Sequence, residues 1–349
     1  MSQSMCARFA WIAGSALFMG APTTAVATDL LVADGTSHVI RRYAGDGTPK
    51  GVFASGGLEG RTALAFGPDG FLYVSDSQNN TVQKYNPVTG EHLGAFVSAG
   101  SGGMVDARGL TFGPDGRLYI ANAQTLAKIL RYDGSDGSYV GVFAGAPPVP
   151  RSPLFGADGN LYVACELCHD VVRFNGQTGA TMGRFVDSGT SGPLRPYGMA
   201  WGPDGHLYLS SARANETIRR YDGSTGLLID DFAVSSLILD PISVAFSADG
   251  TVLYVAGQTS NNVVAFDGVT GAFLAEVVPS GSAGLGQVWG IAVLPCLADH
   301  DGTGFVDTDD FDAFVYDFTD GVESADFDRS GFVDTDDFDA FVRAFEEGC

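Results

Sequence analysis

The sequence predicts an all-β ring of six four-stranded blades, a six-bladed β-propeller, followed by a small all-α module. Three observations predict it. A Gly-Pro-Asp-Gly turn or a near variant recurs five times at almost constant spacing. Short apolar-aromatic runs separated by glycine turns follow each copy. Beyond residue 295 the composition changes abruptly: residues 296–349 hold 17 of the 41 acidic residues and only Arg329 and Arg343 as bases.

In chain order, the first element is an export signal. Arg8 supplies the positive charge, the run from Phe9 to Ala21 is apolar but too short to remain in a membrane, and Ala25-Val26-Ala27 is a small-residue cleavage site. A signal peptide over 1–27 is expected, with a secreted or extracellular, cell-surface location. No later run is long and apolar enough for a membrane span. Export favours disulfides. Once Cys6 leaves with the signal, Cys296 and Cys349 bracket the acidic module and are paired, and Cys165 and Cys168 are left to form a local ring. The net charge of −22 repels phosphate backbones, so nucleic acid is not an expected partner.

The repeat occupies the expected domain 28–295. Gly-Pro-Asp-Gly stands at 67–70, 113–116 and 202–205, with relatives at 156–159 and 247–250, giving spacings of 46, 43, 46 and 45 residues. After each turn comes a run such as Phe71-Leu72-Tyr73-Val74 or Leu207-Tyr208-Leu209, then strands such as Val82-Gln83-Lys84-Tyr85 and Gly94-Ala95-Phe96-Val97. The residues before each turn, Ala63-Leu64-Ala65-Phe66 for example, make the fourth strand. Four short strands per period near 45 describe a propeller blade. Residues 29–55 supply three strands of a sixth blade, and 288–294 supply the missing one, so the ring closes by joining the two ends and leaves no open edge. The aspartates of the turns, Asp69, Asp115, Asp158, Asp204 and Asp249, are read as turn formers that bond their own backbone, not as catalytic acids.

The repeat resembles the NHL-repeat family of six-bladed propellers, through Pro196-Tyr197-Gly198-Met199-Ala200 and Asp204-Gly205-His206-Leu207-Tyr208. That resemblance implies the fold and leaves the activity open, since such propellers include binders, scaffolds and enzymes. The related gluconolactonase-type propellers hold a metal with a Glu, Asn and Asp set. No such set can be placed here: Glu59, Glu91 and Glu166 are the only glutamates before Cys168, and none begins an inner strand. The functional end of a propeller is the channel mouth. Aligning the position four residues before the aromatic that precedes each turn gives Thr62, Arg108, Arg151, Tyr197, Ile242 and Trp289, a ring suited to an anionic or carbohydrate ligand. Cys165-Glu166-Leu167-Cys168-His169 also fits the attachment pattern of haem c, which would make an electron-transfer protein.

The acidic module at 296–349 carries two copies of an oxygen-ligand loop. The first has Asp299, Asp301, Thr303, Phe305, Asp307 and Asp310 at positions 1, 3, 5, 7, 9 and 12, with Gly304 at position 6. The second has Asp326, Asp328, Ser330, Phe332, Asp334 and Asp337, with Gly331 in the same place. At position 7 the ligand is the backbone carbonyl. This is an EF-hand type calcium loop, and two calcium ions are expected. Each loop runs into a helix striped by Phe311, Phe314, Val315 and Phe318 or by Phe338, Phe341, Val342 and Phe345, and the two stripes are expected to bury only against each other, as a compact pseudo-twofold pair.

A duplicated loop plus one helix resembles the dockerin family. The resemblance implies docking onto a cohesin-like or other surface protein, with Thr308, Asp309, Thr335 and Asp336 as partner-binding candidates, and an association with polysaccharide catabolism. The expected whole is a secreted, non-catalytic binding or scaffold protein. The alternative is a dockerin-borne hydrolase or lactonase acting on carbohydrate in the channel, although no nucleophile–base pair or carboxylate pair is visible in the sequence.

Overall fold

The computed structural model describes residues 29–123, 127–189, 195–212, 216–300 and 306–347. The expected signal peptide, the ligands Asp301, Thr303 and Phe305, and Cys349 lie outside the described residues.

Twenty-four described strands form six four-stranded antiparallel sheets. In the first blade β24 (Val288–Val293) is innermost and pairs with β1 (Leu30–Asp34), followed by β2 (Val39–Tyr43) and β3 (Pro49–Ser55). The two ends of the propeller are thus stitched into one sheet. The other five blades run in chain order from inside to outside: β4–β7 (residues 64–97), β8–β11 (107–145), β12–β15 (150–186), β16–β19 (196–234) and β20–β23 (241–278). The six inner strands touch one another around the ring.

The second strand of a blade is buried on both faces: Leu72–Asp76, Leu118–Asn122, Leu161–Cys165 and Leu207–Ser211 are buried at every residue. This explains why these strands lack polar alternation, since neighbouring blades cover both sides of each sheet. The tyrosine of each Leu-Tyr pair makes the blade-to-blade seal. Tyr73 packs edge-on against Phe96 of its own blade and Phe112 of the next, both at 4.8 Å. Tyr119, Tyr162 and Tyr208 repeat the arrangement with Phe143 and Phe155, Phe185 and Trp201, and Phe232 and Phe246. Each such aromatic contact adds about 0.5–1.5 kcal/mol beyond burial.

The turn aspartates do what their position requires. One oxygen accepts the backbone N–H two residues on, from 3.0 Å at Asp158 and Asp249 to 3.3 Å at Asp69. The other oxygen of Asp69, Asp115, Asp158 and Asp204 accepts the sealing tyrosine's hydroxyl at 2.7–2.9 Å. In the last of the five copies, Tyr254 donates to the Gly45 carbonyl at 3.3 Å instead. Each blade's outer turn also carries a glycine that only glycine can supply. Gly137 has φ 72, and a Cβ there would run into the Phe96 carbonyl of the preceding blade. Gly47, φ 88, does the same against Val277 where the ring closes.

Beyond the propeller, α1 (Thr308–Asp320) and α2 (Thr335–Glu347) form a repeat of loop and helix. Asp307 caps α1, reciprocated by Asp310, and Gly321 ends it at φ 66. Phe314 and Phe341 are fully buried and stack at 3.8 Å, with Phe318, Ala325 and Phe327 around them. Burying one such phenylalanine stabilises by about 1.5–3 kcal/mol. The expectation that the two stripes bury only against each other is corrected here. Val315 and Val342 stay outside this core, Phe327 and Ala325 of the connector complete it, and Val88 of the propeller packs against it.

The second loop continues this docking. The Asn86 side-chain amide donates to the Asp328 carbonyl at 2.9 Å. Arg329 donates to the Asp69 carbonyl and lies 5.3 Å from the Phe71 ring. Both contacts fall on the face of the propeller where the Gly-Pro-Asp-Gly turns lie.

Candidate functional site

All six sequence-predicted mouth positions, Thr62, Arg108, Arg151, Tyr197, Ile242 and Trp289, line one central cavity of about 240 Å³. The next position along each inner strand is small: Ala63, Gly109, Ser152, Gly198, Ser243 and Gly290. The reason is the close approach of adjacent inner strands. A Cβ on Gly109 would lie 2.7 Å from Pro153, and one on Gly198 would lie 2.8 Å from the Ile242 carbonyl. One step further, Leu64, Leu110, Pro153, Met199, Val244 and Ile291 form an apolar tier of the cavity wall. Among the described residues, the cavity wall carries no carboxylate, histidine or cysteine.

Register shifts occur beside the mouth position in four inner strands, between Ala107/Gly109, Arg151/Pro153, Pro196/Met199 and Pro241/Ser243. Such bulges re-aim side chains at a sheet's rim. Four residues just ahead of the mouth, Asp106, Val149, Arg195 and Asp240, hold left-handed backbone at φ 58, 52, 61 and 53.

A second ring surrounds the first, formed by the residue after each blade's second strand. Its members are Gly35, Ser77, Ala123, Glu166, Ala212 and Gln258. Their N–H groups bond to carbonyls immediately ahead of the inner strands, those of Gln287, Arg61, Asp106, Val149, Arg195 and Asp240. Glu166, set aside at the sequence level, is the central charged group of the mouth. Arg151 and Glu166 are only 7% and 8% exposed. Glu166 Oε2 accepts from Arg151 Nε at 3.0 Å and Nη2 at 2.5 Å, with Arg108 Nη1 at 3.5 Å. Glu166 Oε1 accepts the Tyr197 hydroxyl at 3.0 Å. The Arg151 guanidinium lies 4.3 Å from the Tyr197 ring centroid. Burial pushes the Glu166 carboxyl up. The charge of Arg151, its hydrogen bonds with Arg151 and Tyr197, and the charge of Arg108 outweigh that and hold it below the ordinary value of 4.5.

The remaining mouth groups have different surroundings. Thr62 is buried, and its hydroxyl has no hydrogen-bond partner among the described residues. Arg61 lies 5.1 Å over the Trp289 ring. A Cβ on Gly35 would overlap the Trp289 indole, so this glycine makes room for it. Cys165 and Cys168 are joined as a disulfide with Cα atoms 5.4 Å apart, bracketing Glu166. A disulfide there leaves neither thiol for haem attachment. Cys296 is also disulfide-bonded.

In the second acidic loop, carboxylate oxygens of Asp326, Asp328 and Asp337 lie within 4.8 Å of one another. Asp337 is fully buried. Its oxygens accept the N–H groups of Asp328 at 2.9 Å and Asp334 at 2.8 Å. Burial raises its pKa against those hydrogen bonds, and the charges of Asp328 and Asp326 raise it further. Asp326 accepts from Ser330 at 2.9 Å and Gly331 at 2.8 Å, which wraps the loop around the cluster. An all-oxygen set with converging charge fits a hard divalent cation. In the first loop, Asp310 is likewise fully buried and accepts the Asp307 N–H at 2.9 Å. The partner candidates Thr308, Asp309, Thr335 and Asp336 are exposed at the helix starts.

Among the described residues, no helix is long and apolar enough to cross a membrane. No family model and no curated protein matches the chain. Solved structures do. A Bacteroides caccae protein of unknown function matches with TM-score 0.60 at 13% identity, over 77% of this chain and 99% of the other. A chain of a nidogen/laminin complex matches with TM-score 0.62 at 17% identity, over 77% and 98%. Virginiamycin B lyase of Staphylococcus aureus matches with TM-score 0.50 at 16% identity, over 70% and 82%. At these identities the likeness is one of fold, and the chain is a six-bladed β-propeller followed by two helices.

Proposed function

We propose that this chain is a secreted, non-catalytic binding protein. Its propeller takes a small polar ligand, a carbohydrate or an anion, at the channel mouth. Its C-terminal loop–helix pair holds two calcium ions and attaches the protein to a cohesin-like or other surface protein, in the manner of a dockerin. The observation that carries the reading is the convergence of Arg108, Arg151, Tyr197 and Trp289 on one cavity. Such a cavity offers orientation and hydrogen bonding to a polar ligand. A chain of the structurally similar propellers sits in a protein complex, nidogen with laminin, which agrees with a binding role.

Calcium would be held by Asp326, Asp328, Ser330, Asp334, Asp337 and the Phe332 carbonyl, with the equivalent residues in the first loop. Bound there, it neutralises carboxylates that otherwise repel one another and so fixes the helix pair that presents Thr308, Asp309, Thr335 and Asp336. The test is calorimetry of the mature chain in calcium against a panel of neutral and anionic oligosaccharides, with Arg151→Ala as control. Saturable binding lost in the variant is expected. A silent panel removes the mouth as a binding site.

A further inference from the structure

The geometry points to a neutral sugar ring, not an anion, as the ligand of the propeller mouth; this rests on the reading of the mouth as a binding site. The arginines that would draw an anion already hold one. Glu166 meets Arg151 at 3.0 and 2.5 Å and stands 3.5 Å from Arg108. Arg108 is also held by Asp106 at 2.7 Å. An incoming carboxylate or sulfate would lie close to the Glu166 carboxylate, and like charges repel. The third arginine, Arg61, is spread over the Trp289 indole.

The same groups suit hydroxyls. Glu166, just behind the cavity wall, accepts from Arg151 and from the Tyr197 hydroxyl and so fixes both groups at the mouth. Guanidinium N–H groups of Arg108 and Arg151 supply donors there. Thr62 adds a buried hydroxyl whose hydrogen-bonding capacity is unused among the described residues. A sugar edge carries donors and acceptors side by side and can satisfy all of these; a bare anion supplies acceptors alone.

The opposite wall carries an aromatic and an aliphatic side chain, with Arg61, Thr62 and Gln258 around them. Blade order around the ring places Trp289 three blades from Arg151, directly across the channel, with Ile242 beside it. A pyranose seated between these walls turns its C–H face toward Trp289 and Ile242 and its hydroxyl edge toward Arg108, Arg151 and Tyr197. The cavity, about 240 Å³, is smaller than sites for drug-sized ligands. It accepts one ring end-on, not a chain threaded through. Gly35 is then a positioning residue, because any side chain there moves the indole.

The experiment is calorimetry, with tryptophan emission in parallel, on the mature full chain in calcium. Maltohexaose, cellohexaose and xylohexaose are the neutral probes; oligogalacturonate and a heparin hexasaccharide are the anionic ones. At least one neutral probe binds and shifts the emission. Trp289→Ala and Gly35→Ala each weaken it by about tenfold or more, and Glu166→Gln weakens it while improving the anionic probes. If anionic probes bind the wild type and neutral ones do not, the sugar assignment fails while the mouth remains a binding site. If a neutral probe binds Trp289→Ala as well as wild type, the sugar is not at the mouth and the assignment fails. If nothing binds, both readings fail together.

Discussion

Replacing Asp337 by asparagine separates a calcium ligand from a helix cap. The carboxylate is fully buried and accepts two backbone N–H groups, and Asp326 and Asp328 stand beside it. Asparagine keeps the shape and one acceptor oxygen and loses the charge. In calcium at 100 times its dissociation constant, a filled site adds about 2.7 kcal/mol to stability. A small domain melts about 4–8 °C lower for each kcal/mol lost, so Asp337→Asn lowers the tail's transition by at least about 10 °C. In chelator the outcome differs. The lost backbone hydrogen bond costs about 1 kcal/mol, and relief of the repulsion from Asp326 and Asp328 offsets it. Variant and wild type then melt within a few degrees of each other. The assay is far-ultraviolet circular dichroism of the full chain, melted in calcium and in chelator, with calorimetry to count ions. If the variant is as destabilised in chelator as in calcium, Asp337 is a structural cap. If calcium leaves the wild-type melt unmoved, the loops are not calcium sites.

Other expectations follow from the propeller. Asp115→Ala removes the acceptor of the Arg117 N–H at 3.2 Å and of the Tyr119 hydroxyl at 2.9 Å, and lowers stability by about 1–3 kcal/mol in urea unfolding. Asp136→Ala, in an exposed outer turn, changes it by less than about 0.5 kcal/mol. Gly137→Ala forces a left-handed backbone and a collision with the Phe96 carbonyl, so its cost exceeds about 1 kcal/mol and the loss appears in the same assay. Glu166 has a folded pKa below its unfolded value, so its contribution is complete above the ordinary carboxylate value of 4.5 and is lost as pH falls below it. Thermal melts between neutral pH and pH ~3 therefore fall more steeply for wild type than for Glu166→Gln.

The parts of this molecule that repeat were legible because repetition fixes register. With the Leu-Tyr strands and the Asp-Gly turns aligned, counting back four residues from the turn aromatic reaches the same tier of the channel in five blades, Trp289 holds the equivalent place in the sixth, and all six residues line the cavity. Glu166 escaped for a topological reason. It follows a second strand, not an inner one, and strand pairing (Arg151 opposite Ala164, Pro150 opposite Cys165) carries it back to the mouth. The available signal was that the residue after every second strand returns to the rim, as Gln258 and Gly35 also do. The helix pair was read correctly as amphipathic. Its contact with Val88 was invisible, because no local pattern records which distant turn will cover a stripe.

The seat of Arg329 on the Asp69 turn fixes more than a contact. Inner strands begin at the mouth and end at the Gly-Pro-Asp-Gly turns, so the tail is strapped to the underside of the ring and the opening looks the other way. The chain is built as a bracket and not as a bead on a string. A partner of the proposed kind, gripping the exposed sides of the helices, would leave the opening unobstructed and at a set angle to its mooring.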